Sequence, residues 1–176
     1  MASLKKSWVI LSCVCLLFVG SSRPAFSADR GKFAVVDIGK VFDEYEKTKK
    51  FDQEFQLQGR GKQEERDALV HDLRKLRDEQ MLLSEEARGE KQKAIEAKMK
   101  ELENFDEDTR KALAEKRNQV VKDIFQDIEN TVKQYGERKG YDFIFSDRAT
   151  LYHNKGFNIT ADILIELNQK YRKEKK

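Results

Sequence analysis

His71 and His153 are the only imidazoles this sequence offers for acid–base work or metal ligation. His71 stands among charges on a helical stretch and His153 in a loop, and no second ligand recurs at metal spacing beside either. The only cysteines, Cys13 and Cys15, lie in an apolar run near the N-terminus. Carboxylates are plentiful, but most sit beside Lys or Arg, the arrangement of exposed ion pairs on helix faces. No Gly-rich phosphate loop and no nucleophile elbow occurs. The triplet Asn158-Ile159-Thr160 has the form of a glycosylation acceptor, yet it doubles as the start of a helix. These residues give no catalytic, cofactor or metal site, so the chain reads as a non-enzyme without cofactors.

The N-terminus reads as an address. Lys5 and Lys6 precede WVILSCVCLLFVG, and SSRPAFSA follows with small residues. A basic end, a short apolar core and a small-residue exit make a secretory signal peptide over residues 1–28, cleaved near Ser27 or Ala28. The run is too short for a membrane span, which needs about 20 apolar residues. Acylation at Cys13 is the weaker alternative, because few apolar residues precede it. Cleavage removes both cysteines, leaving an exported chain with no disulfide. It also removes Lys5, Lys6 and Arg23, so the 35 Lys and Arg fall to 32, equal to the 32 Asp and Glu. A neutral chain gives no bulk attraction to nucleic acid or to an anionic membrane.

The rest of the composition favours long charged helices. Charged residues make up 38%, there is one proline, and the mean hydropathy is −0.78. The β-branched run Phe33–Ile38 predicts a buried strand ended by Gly39, with a helix from about Lys40 to Ser84. Gly59 and Gly61 mark an expected bend in it. Leu69, Leu73, Leu76, Gln80 and Leu83 follow a heptad seam. A turn is expected near residues 84–90, then a second helix from about Glu90 to Lys139. Its seam runs through Ile95, Met99, Leu102, Asp106, Thr109, Leu113, Lys116 and Val120. Ile124, Phe125, Ile128, Val132 and Tyr135 then widen the apolar stripe, and Gly140 closes the helix. Residues 40–139 thus form a helical hairpin arm, each limb about 70 Å long at 1.5 Å per residue.

Residues 29–39 and 140–176 form the root. Strands are expected at Tyr141–Phe145 and Thr150–Tyr152, and a final helix capped by Thr160 carries Ile163, Leu164 and Leu167. Three short strands and one small helix enclose little core. Strands from several copies are therefore expected to close a sheet or barrel at the roots of the arms.

FAVVDIGKVF, the long hairpin, YDFIFSDRATLY and NITADILIELN together resemble the Skp/OmpH family of periplasmic chaperones for outer-membrane proteins, in order over the whole exported chain. The resemblance implies a mainly α fold with a small β body. A long antiparallel hairpin arm would project from a β-barrel-like trimerisation body built by strands from both chain ends. It implies a homotrimer whose arms hold unfolded outer-membrane proteins without ATP. Val35, Val36 and Ile38 match the first body strand, Phe143, Ile144 and Phe145 the second, and Leu151 and Tyr152 the third. The chain departs from the family in its balanced charge, and it has no alignable counterpart of the family's basic lipopolysaccharide cluster.

Met81 and Leu82, off the seam at the arm end, are candidate client contacts, since flexible apolar side chains suit varied partners. Arg88, Lys91 and Lys93 form a small basic tip for client carboxylates or a membrane surface. Glu85, Glu86 and Glu90 beside them favour an ordinary solvated turn there. The polar seam positions Gln80, Asp106 and Lys116 either loosen the arm or fix its register. The expected function is a periplasmic holdase; the alternative is an envelope adaptor with one fixed coiled-coil partner. Nucleic acid is not an expected partner.

Overall fold

The computed structural model describes residues 31–175. The expected signal peptide, residues 1–28, lies outside the described residues. In chain order the elements are β1 (Phe33–Val36), α1 (Ile38–Glu44), α2 (Glu46–Met81), α3 (Glu85–Lys139), β2 (Phe143–Ser146) and α4 (Thr160–Glu174). Two single-turn 3₁₀ helices, Asp147–Ala149 and Lys155–Phe157, lie between β2 and α4.

β1 stops two residues before the expected Ile38. Asp37 is a poor strand residue but a strong cap, and its carboxylate accepts from the Lys40 N–H at 2.9 Å. Gly39 therefore lies inside the first turn of α1 instead of ending the strand. α1 is short because Tyr45 is extended, with ψ 130°. This interruption, and not Gly59 or Gly61, breaks the helix; α2 runs through both glycines.

The hairpin reverses over residues 82–84, earlier than the expected 84–90. The Leu82 and Leu83 N–H groups donate to the Glu79 and Gln80 carbonyls at 3.1 and 3.2 Å. Ser84 occupies the cap position and Glu85 and Glu86 fill the first turn of α3, favourable charge for a helix start. α3 then continues for 55 residues to Gly140, which caps it at φ 66°, ψ 41°. The Tyr141 N–H returns to the Gly136 carbonyl at 3.0 Å, a left-handed glycine cap as expected.

β1 and β2 pair in parallel, Phe33 opposite Phe143 and Val36 opposite Ser146. Parallel strands need a long crossover, and here the whole arm is that crossover. On the other side of β1, the Ile159 N–H donates to the Val35 carbonyl at 2.9 Å. Among the described residues the sheet thus has two strands, and β2 is its outer edge.

The expected third strand at Thr150–Tyr152 is not formed. Among the described residues no strand lies alongside to complete its ladder, and Leu151 and Tyr152 are exposed to solvent. Thr160 is likewise the first residue of α4 instead of its cap. Its hydroxyl accepts from the Asp37 N–H at 2.9 Å, tying α4 to the end of β1.

The core lies wholly at the root. Ala34, Val36, Val41, Tyr45, Ile124, Ile128, Tyr135, Ile159, Ile163 and Leu167 form one buried cluster from β1, α1, α3 and α4. Between residues 51 and 120, only Leu73 and Ile95 are buried.

Candidate functional site

No group of three His, Cys, Asp or Glu among the described residues could hold a metal ion, and no described helix is long and apolar enough to cross a membrane. The glycosylation-like triplet is already engaged: Asn158 Oδ1 accepts from the Thr160 N–H at 2.9 Å, while the Thr160 hydroxyl serves Asp37. What the chain presents is surface, in three places.

The first is the arm seam. Its polar members are partnered across the hairpin. Arg66 donates to both oxygens of Asp106 at 2.9 and 3.1 Å, a bidentate pair. Gln80 donates to Gln92 at 3.0 Å, and Lys116 to Gln58 at 2.5 Å. Nearer the tip Lys91 pairs with Glu79, and this hydrogen bond holds the Glu79 carboxyl below its ordinary range. These contacts specify register at modest desolvation, since the charged partners remain partly in water.

The second is the tip. Met81 and Leu82 are 74% and 89% exposed, side by side at the end of α2. The basic residues beyond them differ in availability. Arg88 donates to the Leu83 carbonyl at 3.1 Å and to Glu85 at 3.0 Å, so it stitches the turn. Lys91 is committed to Glu79, whereas Lys93 has no ion pair among the described residues.

The third is the outer face of the sheet. By its two-residue period β1 turns Ala34 and Val36 toward the core cluster, while Phe33 and Val35 share the other face, where Val35 is buried and Phe33 exposed. β2 does the same, placing Ile144 inward and Phe143 and Phe145 outward. Phe33 stacks on Phe143 with centroids 5.8 Å apart, and Phe143 on Phe145 at 5.9 Å. The result is a solvent-facing aromatic ladder beside an open strand edge. Of the residues matched to the body, Val35, Val36 and Ile38 are spent in intrachain packing and Ile144 is half-buried. Phe143, Phe145, Leu151 and Tyr152 remain exposed. Phe33 and Phe157 belong to the same exposed set and escaped the sequence reading. The phase of Phe33 against Ala34 and Val36 was the signal for it; nothing local marks Phe157.

Tyr45 and its neighbours join arm to root. The Tyr45 ring packs edge-on against Tyr171 at 5.7 Å, and its burial pushes the phenol up from its ordinary value. Asn168 Oδ1 accepts from the Glu46 N–H at 3.0 Å, and Arg172 forms a two-pronged pair with the Glu46 carboxylate. α4 thus supplies the cap that α2 lacks in its own sequence.

Residues 32–167 match the family model described as outer membrane protein (OmpH-like). The chain is 27% identical to the chaperone protein Skp of Photorhabdus luminescens over 88% of this chain and 96% of that one. It is 23% identical to the Skp chaperone of Pectobacterium atrosepticum over 90% and 97%. A solved OmpH-like structure from Caulobacter crescentus superposes with a TM-score of 0.68 over 80% of this chain and 85% of that one, at 13% identity, which is a likeness of fold.

Proposed function

Because the chain belongs to the OmpH-like outer membrane protein family, a non-enzymatic family of Skp-like chaperones, we propose that it is an ATP-independent periplasmic holdase for unfolded outer-membrane proteins. The observation that carries this reading is the arm. A hairpin that buries only Leu73 and Ile95 between residues 51 and 120 has been kept long for its surface, not for stability. Its polar sides keep a complex in solution, and many weak contacts along it give avidity without a deep pocket. Met81 and Leu82 at the tip offer flexible apolar contacts to passing segments. By surrounding a client, the arms of neighbouring copies block pairing between exposed strand edges.

Assembly as a homotrimer is part of the proposal. A two-stranded sheet alone is marginal in water. The aromatic ladder of Phe33, Phe143 and Phe145, the edge of β2 left open among the described residues, and the exposed Leu151 and Tyr152 are what other copies would cover. The test is aggregation of a porin diluted from urea. The protein at equimolar trimer should suppress light scattering; undiminished scattering refutes the holdase.

One observation favours an adaptor with a single fixed partner: the polar seam is paired in register, which suits a stiff rod. Pull-down from envelope extract separates the readings. A holdase retains many outer-membrane proteins, an adaptor one partner.

A further inference from the structure

The segment between β2 and α4 is held by polar contacts, since neither of its 3₁₀ turns buries a residue. The Thr150 N–H and hydroxyl both donate to the Asp147 carbonyl, at 3.1 and 3.0 Å. His153 then stands between two acceptors. Its Nε2 lies 2.8 Å from Asp147 Oδ1, and its Nδ1 lies 3.2 Å from the Asn154 carbonyl.

A neutral imidazole has one N–H and can serve only one of these oxygens; the imidazolium serves both and forms an ion pair with the carboxylate. We propose that His153 is a proton-operated latch. Its charged ring fastens Asp147 to the middle of the segment and fixes the presentation of Leu151 and Tyr152, and loss of the proton gives up one of the two bonds and the ion pair, loosening that hold. The latch stands whether or not the chain forms a trimer.

Other charged groups face the ring's surroundings. Asp37, Lys40 and Glu44, from the β1–α1 junction and α1, line the same cavity as His153, with Lys155 from the second 3₁₀ turn. Arg148 reaches back toward Gly39 and Asp37. Acids and bases are mixed in this set, so the two direct acceptors decide the direction. The bond to the Asn154 carbonyl, then that to Asp147, raises the imidazole above its ordinary value, outweighing its partial loss of hydration. A raised value means the latch is fully engaged below about pH 6.5 and is lost as pH rises through the folded-state midpoint.

Imidazole NMR of the exported chain tests this, with His71→Gln leaving His153 as the sole histidine signal. The expected midpoint lies above that of free histidine, and Asp147→Asn lowers it toward the free value. Amide exchange at Thr150, whose N–H donates to the Asp147 carbonyl, corrected for its intrinsic rise with pH, should show protection falling in a step across that midpoint. The step should vanish in His153→Gln. A wild-type midpoint at or below the free value, or protection without a step, overturns the latch.

Discussion

Ile128 sits fully buried on α3, and it belongs to the single cluster that holds the root. Ile128→Ala should therefore cost about 2–5 kcal/mol, read by urea denaturation at fixed protein concentration. Gly140 occupies the left-handed region at φ 66°, where a Cβ is penalised. Gly140→Ala should cost about 1–2 kcal/mol in the same measurement, although nothing stands near the added methyl. Thr48 makes the opposite case. Its hydroxyl is buried and finds no partner among the described residues, so Thr48→Val should raise stability by about 1 kcal/mol. At this scale the sequence was informative where one residue answers to its own backbone: the glycine cap and the apolar stripe through Ile124 and Ile128 were both readable. The partners of the polar seam were not. Asp106 was visible as an exception to the heptad, but only the facing helix reveals Arg66.

Among the elements, the hairpin limbs were legible from their 3.5-residue period, while their interruption was misplaced. Local propensity points to Gly59 and Gly61, yet no side chain crowds either glycine and the helix continues through both. The actual break at Tyr45 is made by Tyr171, Asn168 and Arg172, over a hundred residues away, which no local window could reveal. Two tests belong here. Gly59→Ala with Gly61→Ala should stabilise the arm by about 1–2 kcal/mol, seen as slower amide exchange in residues 50–70. Asn168→Ala should expose the start of α2 and speed exchange at Glu46 by several-fold, leaving the distal arm unchanged. The expected third strand failed for a related reason. A strand is defined by what lies beside it, and Leu151 and Tyr152 have no strand beside them among the described residues.

For the molecule as a whole, the proposal separates root from arm. Deleting residues 63–116 should leave the mass of the assembly trimeric per copy number, measured by light scattering, while abolishing protection of a urea-diluted porin. Phe143→Asp with Phe145→Asp should do the reverse to the root, dropping the mass to that of one chain with the helical circular dichroism largely kept. A monomeric wild type would contradict the trimer directly.

The two limbs of the arm are not attached alike: α2 is interrupted at Tyr45, whereas α3 passes from the turn into the core as a single piece. It therefore acts as a lever with its fulcrum at Ile124. From there to Glu85 is about 60 Å, so a tilt of about 10° at the root would carry the tip about 10 Å. In the proposed trimer, small repacking near Ile124 would set the width of the mouth between neighbouring copies, and the fully folded limb would not need to bend to admit a larger guest.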